Sequence, residues 1–246
     1  MQALILAGGL GTRLRAVISD KPKPMAVING KPFLEYQIEL LKRDGIDDVV
    51  FCVGYLSEQI QNHFGSGEKW GIKINYSIEE ELLGTGGALK LAQKFIRGPF
   101  LVLNGDSYLD IDLQKLARFH QDKKENRGGI GAMALIEVDD ARDYGSVTAN
   151  AEQEILSFNE KSESAEASKL INAGIYVLEP EILDFIPAAK KNSLEKETFP
   201  TLLNQGHRLF GHRAEGYFVD IGTPAGYQGF QQYISGKEGS GDDHSQ

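Results

Sequence analysis

Three short runs in the first half of the chain are apolar at every position: Ala3-Leu4-Ile5-Leu6, Val49-Val50-Phe51-Cys52-Val53 and Phe100-Leu101-Val102-Leu103. A strand that is apolar on both faces must be covered on both faces, which is the situation of a parallel sheet sandwiched between helices. The intervening segments supply those helices. Phe33 to Asp44 places Leu34, Ile38 and Leu41 on one helical face, with Gly45 where a C-terminal cap belongs. Ser57 is placed to cap a short helix through Phe64, stopped by Gly65, and Ile72 to Tyr76 alternates as a strand. Ala88 to Ile96 is helical up to Gly98-Pro99, and Leu113 to His120 forms a further helix. The expected fold class is therefore α/β: a Rossmann-like, mostly parallel central sheet with helices on both faces.

After about residue 127 the pattern changes. Ile130 to Val138, Tyr144 to Ala149, Glu154 to Asn159 and Leu170 to Leu178 are strand-like with short connections, so a smaller antiparallel portion is expected. Ser162 to Ser168 reads as a mobile surface loop. Arg208 to Arg213 and Tyr217 to Ile221 are late strands, and Pro224 starts a closing helix at its favoured first position. With no internal repeat and no linker, residues 1–235 are expected to form a single domain with halves meeting near 127/128, followed by a disordered Gly/Ser/Asp-rich tail at 236–246.

The chain has 246 residues, 41% of them hydrophobic, enough for a large core. A net charge of −9 without any Lys/Arg-rich run argues against a nucleic-acid partner. Any polyanionic ligand must then be held by a local cluster of cations. The one cysteine, Cys52, permits no internal disulfide and reads as a buried apolar residue. No signal peptide and no stretch apolar enough to span a bilayer are visible, so a soluble, cytoplasmic protein without a membrane partner is expected.

The first strand runs straight into Gly8, Gly9 and Gly11, followed by Thr12 and Arg13, with Lys23 inside Pro22-Lys23-Pro24-Met25. Backbone N–H groups at such glycines can close around a phosphate chain, and the two cations suit its oxygens. A dinucleotide fingerprint would need a third glycine where Leu14 stands, and no G-x-x-x-x-G-K-[ST] string occurs. A tight turn without ligand is the bland alternative; the attached basic residues argue against it. Asn104-Gly105-Asp106 follows another buried strand, and Asp220 ends Tyr217-Phe218-Val219, so both aspartates would be delivered beyond strand ends. Two such carboxylates can share one Mg²⁺ with phosphate oxygens and waters, although each could instead cap the next turn. Asp110 and Asp112 look like caps of the following helix.

The chain resembles the sugar-phosphate nucleotidyltransferases, or nucleoside-diphosphate-sugar pyrophosphorylases. The segments carrying the resemblance are L-A-G-G-L-G-T-R-L at 6–14, P-K-P-M at 22–25, L-G-T-G-G-A-L at 83–89, N-G-D at 104–106, Y-G at 144–145, N-E-K at 159–161, N-A-G-I-Y at 172–176 and D-I-G-T-P at 220–224. They occur in the family's order over essentially residues 1 to 235. The resemblance implies a nucleotidyltransferase fold whose first half, about 1–127, takes the nucleotide and whose second, about 128–235, takes the sugar. It also implies the reaction: a sugar 1-phosphate attacks the α-phosphorus of a nucleoside triphosphate and pyrophosphate leaves. Leu6, Ala7, Gly8, Gly9, Gly11, Thr12 and Arg13 would then bind the triphosphate, joined by Glu79, Gly84 and Thr85 on the nucleotide side. Arg13, Lys23, Asp106 and Lys161 would be the catalytic set, with Mg²⁺ on Asp106 and Asp220. Asn104, Tyr144, Gly145, Glu160, Lys161, Asn172 and Gly174 would hold the sugar phosphate. One departure is Ser162, where the family commonly has proline after Glu-Lys. A homodimer is a family-level expectation.

Within the family, L-R-A-V-I-S-D-K-P-K-P-M at 14–25 and G-K-P-F-L-E-Y at 30–36 most resemble the manno-heptose 1-phosphate guanylyltransferases, which make GDP-heptose for bacterial surface polysaccharide. Glu79 lies where the family presents a base-contacting side chain. A carboxylate there can accept from guanine's adjacent N1–H and N2–H, whereas uracil and thymine offer one donor between two acceptors. Glu79-Glu80-Glu81 could also be a solvated acidic turn. The implied substrates are GTP and D-glycero-α-D-manno-heptose 1-phosphate. Mannose 1-phosphate guanylyl transfer, or a UTP, CTP or dTTP relative, is the alternative. A non-catalytic nucleotide-sugar sensor would predict a damaged cradle, but Arg13, Lys23, Asp106 and Asp220 are all present.

Overall fold

A computed structural model describes residues 1–11, 20–141, 144–159 and 169–241. In chain order the strands are β1 (Gln2–Leu6), β2 (Val27–Ile28), β3 (Lys31–Pro32), β4 (Asp48–Val53), β5 (Lys73–Ile78), β6 (Phe100–Asn104), β7 (Ser107–Leu109), β8 (Gly129–Glu137), β9 (Ser146–Ala149), β10 (Ile155–Asn159), β11 (Leu170–Leu178), β12 (Arg208–Arg213) and β13 (Phe218–Asp220). The α-helices are α1 (Phe33–Arg43), α2 (Ser57–Phe64), α3 (Gly84–Leu91), α4 (Leu113–Arg127), α5 (Phe199–Asn204) and α6 (Pro224–Gly241).

Nine of the strands make one sheet, in the order β10-β9-β11-β6-β1-β4-β5, with β8 attached to β11 and β12 to β8. The run β6-β1-β4-β5 is parallel, as the continuous apolar segments require. Alternate residues of each strand feed opposite cores. Ile5, Phe51 and Leu103 pack with α1, α2, α4 and α6 on one face, while Leu4, Val50 and Val102 pack with α3 and α5 on the other. Each fully buried Leu, Ile or Phe side chain contributes roughly 1.5–3 kcal/mol, so the two layers fix the strand register firmly. Cys52 lies in the second layer, fully buried, and burial pushes its thiol far above the usual range.

The antiparallel portion begins at β11, which pairs β6 on one side and β8 on the other. Past Ile175 the partner on the β6 side changes, and Ile171 pairs Ser146 of β9. Between Asn172 and Tyr176 the β8 ladder slips at a bulge containing Gly174, at φ +74°. Separately from the main sheet, β7 and β13 form a two-stranded antiparallel ribbon.

Several boundaries differ from expectation. Leu56, at φ 53°, precedes α2 as its cap, and Ser57 is already helical. The third helix starts at Gly84, four residues before Ala88, because Gly86 and Gly87 N–H groups find the Asn192 carbonyl oxygen at 3.0 and 3.3 Å. α4 continues past His120 to Arg127 on solvated polar residues and closes on Gly128 in the left-handed region. Asp112 caps α4, accepting from Lys115 N at 2.8 Å, whereas Asp110 does not cap it. Asp110 instead accepts from Arg43, Tyr233 and Lys237. That anchor explains why residues 236–241, expected in the tail, are helical. The Ser162–Ser168 loop and residues 242–246 lie outside the described residues. No helix among the described residues is long and apolar enough to cross a membrane.

Candidate active site

The carboxyl ends of β1 and β6 open onto a cleft of about 350 Å³. Leu6, Ala7, Gly8, Gly9, Gly11, Lys23, Glu79, Gly84, Thr85, Asn104 and Asp106 all line it. Eleven residues singled out from sequence thus converge on one cavity at the strand ends, where open α/β sheets carry their ligands. The β1 and β6 ends are tied together by Gly105 N–H donating to Leu6 O at 2.9 Å. Thr12, Arg13, Glu160 and Lys161 lie outside the described residues.

Glu79 sits at the end of β5, next to exposed Glu80 and Glu81, yet is only 8% exposed. The solvated-turn reading therefore does not hold for it. A Cβ at Gly8 would collide with Glu79 Oε1, so glycine there is what lets the carboxylate lie against the turn. Glu79 Oε2 accepts from Leu83 N–H at 2.8 Å. Burial raises the Glu79 pKa, and the Leu83 hydrogen bond pulls it partly back.

Lys23 stands in a short 3₁₀ turn, Lys23–Met25, and its side chain is 9% exposed. It donates to Asp106 Oδ2 at 2.7 Å. Asp106 is held on the turn between β6 and β7. Pairing of β7 with β13 sets Asp220 opposite Ser107, and Ile221 N–H donates to Asp106 O at 2.9 Å. The two aspartates thus occupy neighbouring positions of one ribbon although 114 residues separate them (220 − 106). Asp220 Oδ1 also accepts from Gly222 N–H at 2.6 Å. Among the described residues no group of three His, Cys, Asp or Glu could cage a metal. A pair of hard carboxylates fits Mg²⁺, which is usually held by one or two of them and completed by phosphate oxygens and water.

Tyr144, Gly145, Asn172, Gly174 and Asp220 are not among the residues that line this cleft, but Gly174 lies against Asn104, which is. A Cβ there would come within 2.7 Å of Asn104 Nδ2, on top of the positive φ. Asn172 Oδ1 accepts from Gly174 N–H at 2.9 Å, and its Nδ2 donates to the Tyr176 hydroxyl at 2.6 Å. Tyr144 and Gly145 immediately precede Ser146, the register partner of Ile171. Tyr144 packs edge-on to Phe218, with ring centroids 5.8 Å apart.

Comparison with known proteins matches this arrangement to one family. The model for "Nucleotidyl transferase" covers residues 2–235. The chain belongs to the nucleotidyl transferase family. A D-glycero-alpha-D-manno-heptose 1-phosphate guanylyltransferase from Campylobacter jejuni is 44% identical over 233 residues, covering 94% of this chain and 98% of the relative. A mannose-1-phosphate guanyltransferase from Candida glabrata is 38% identical, over 91% of this chain and 62% of its own length. The crystal structure of HddC from Yersinia pseudotuberculosis, complexed with GMP-PN, superposes with a TM-score of 0.81 at 33% identity, over 95% of this chain and 99% of that one.

The nucleotidyl transferase fold also brings in residues that the motifs did not mark. Gln37 of α1, 1% exposed, donates from Nε2 to Asn104 O and Ser107 O, both at 2.8 Å, clasping the turn that carries Asp106. Its sequence signal was a polar residue inside an otherwise apolar helix face. Lys191 lines the cleft exposed, with no partner among the described residues, on the segment that docks against α3 through Asn192. Nothing local distinguishes it from a surface lysine. Glu195, in a single π-helical turn over Leu194–Thr198, receives the Thr85 hydroxyl at 2.8 Å and the Tyr176 hydroxyl at 3.0 Å.

Proposed function

We propose that this nucleotidyl transferase moves GMP from GTP to D-glycero-α-D-manno-heptose 1-phosphate, giving GDP-heptose and pyrophosphate for a surface polysaccharide. The observation that carries the base assignment is Glu79, a nearly buried carboxylate at the wall of the cleft beside Gly8. Its ionised oxygens can accept the paired N1–H and N2–H donors of guanine, and a base offering acceptors there would leave a buried charge unpaired. The names of the Campylobacter and Yersinia relatives support the same reading.

In the step itself a phosphate oxygen of the sugar 1-phosphate bonds to the α-phosphorus. The bond from that phosphorus to the bridging oxygen breaks, and its electron pair leaves with pyrophosphate. The nucleophile is already an anion, so no general base is needed; the obstacle is bringing like charges together. Positioning and charge neutralisation supply the catalysis. A cation at 4 Å from a phosphate oxygen attracts it by about 4 kcal/mol at an effective dielectric of 20, before desolvation. Lys23 and Lys191 present such charges from two sides of the cleft, and Arg13 and Lys161 would add others. Asp106 and Asp220 would hold Mg²⁺, which supplies charge neutralisation on the phosphates. Asn172 and Asn104 would orient the sugar, with Tyr144 and Gly145 nearby.

Pyrophosphate release should be measured for four nucleoside triphosphates against heptose, mannose, glucose and hexosamine 1-phosphates. GTP with the heptose phosphate should give the highest kcat/KM. A higher value with mannose 1-phosphate would favour the activity named for the Candida relative. Preference for a pyrimidine nucleotide would overturn the role of Glu79.

A further inference from the structure

Thr85 and Asn172 lie on different elements, the first turn of α3 and the bulged part of β11, and Thr85 lines the cleft. A single carboxylate joins them. Glu195 Oε2 receives the hydroxyls of Thr85 and Ser193, each at 2.8 Å, and Oε1 receives Tyr176 at 3.0 Å.

The direction of every proton in this cluster is determined. The Thr85 hydroxyl already accepts Leu194 N–H at 2.8 Å, so its own proton goes to Glu195. Ser193 accepts Lys196 N–H at 3.2 Å and likewise donates to Glu195. Tyr176, fully buried, accepts from Asn172 Nδ2 at 2.6 Å and is reached by the Asn104 amide, which leaves its proton for Glu195 as well. Three hydroxyls therefore point at one carboxyl group, which accepts all of them. The three hydroxyls of the network each have a partner for their proton, and removing the Glu195 carboxylate strands all three donors.

Two consequences reach the cleft. The Thr85 hydroxyl is spent on protein partners, so it offers the nucleotide no donor. The Asn172 amide is fixed in one orientation, with Oδ1 on Gly174 N–H and one Nδ2 proton on Tyr176. We propose that Glu195 is a positioning residue that sets the nucleotide-side turn at Thr85 and the sugar-side amide of Asn172 together, so that each substrate's subsite depends on the other's wall. This rests on the nucleotidyl-transfer reading above, but not on which base or sugar is used.

The test is a cross-site effect, read with whichever nucleotide and sugar 1-phosphate pair the wild-type chain turns over best. Thr85→Val keeps shape and loses the hydroxyl, and it should raise the KM for the sugar 1-phosphate about threefold or more although Thr85 faces the nucleotide side. Thr85→Ser should stay within about twofold of wild type. Tyr176→Phe should raise the KM for both substrates, and Glu195→Gln should do so by about tenfold, since an amide nitrogen cannot accept a hydroxyl proton. The Glu195→Gln/Tyr176→Phe pair should be less than multiplicative, because both break the same link. Melting temperatures that fall while both KM values stay put would overturn the proposal, as would a Thr85→Val effect confined to the nucleotide. A wild-type chain that turns over no pair would remove the underlying reading together with this one.

Discussion

The two sides of the cleft are assembled differently. On the nucleotide side much of the lining comes from two short stretches at the ends of parallel strands, Leu6 to Gly9 with Gly11 after β1 and Asn104 to Asp106 after β6. Backbone, glycine and a few charges do the shaping there. On the sugar side the shape depends on a side-chain network, Asn172–Tyr176–Glu195, whose carboxylate also reaches Thr85 of the nucleotide side, 110 residues away. A parallel strand delivers its successor residues to a fixed place because both sheet faces are buried. An antiparallel strand with a bulge has no such guarantee, and β11 is held in its bent form by the Gly174 conformation and the Asn172–Tyr176–Glu195 network.

The sharpest way to break this contrast is at the nucleotide side's charged turn. Asp106→Asn should lower kcat by about a hundredfold or more without unfolding the chain, since the carboxylate that anchors the Lys23 ammonium and would hold Mg²⁺ against the phosphates is lost. Near-normal turnover in a steady-state assay, with an unchanged circular dichroism spectrum, would remove Asp106 from the chemistry. Gln37→Met tests whether that turn is held by its strands alone. Loss of two hydrogen bonds to buried carbonyls should cost about 1–3 kcal/mol of stability in urea unfolding. A loosened Asp106 should also lower kcat about tenfold, and a stability loss with unaltered kcat would show that the strands suffice.

Glu79→Gln sharpens the comparison through pH. Burial raises the Glu79 pKa, and only the ionised form accepts two guanine donors, so a proton competes with GTP. The KM for GTP should rise as pH falls through that raised value, and the glutamine variant should be roughly tenfold weaker but flat with pH. An unchanged pH profile would sink the assignment. The smallest effect is expected at the far end of β11. Buried His120 meets Glu179 Oε1 at 2.8 Å, with Lys124 on the same oxygen at 2.9 Å, and burial lowers the His120 pKa. The unfolded chain therefore takes up this proton first, so the contribution to stability is full above about pH 6.5 and declines below it. Melting temperatures should drop by a few degrees on acidification in wild type and less in His120→Gln, with both KM values untouched.

How far the sequence could be read follows the same division. The parallel core was legible because continuous apolar strands admit few other arrangements, and β11 and β12 match the expected ranges residue for residue. The early glycines were legible because they follow β1 directly, and Asp106 because it follows the end of β6, but the contact of Lys23 with Asp106 spans 83 residues and was not. Glu79 was ambiguous between a base contact and a solvated acidic turn until its burial was seen. The helical start at Gly84 was hidden, since four residues with three glycines read as a turn until the Asn192 carbonyl accepts their amides. Lys191 and Glu195 carried no local mark, and Gln37 only that of a polar residue on an apolar helix face, since what each does depends on residues far from it in sequence.

By itself the sequence determined the class of fold and the family, because hydrophobic burial is set by local periodicity and the phosphate-side segments are contiguous. Only the tertiary structure decided which polar side chains support the cleft. Hydrogen-bond partners depend on distance in space, and a buried hydroxyl or carboxylate finds its partner only after the strands have been laid side by side.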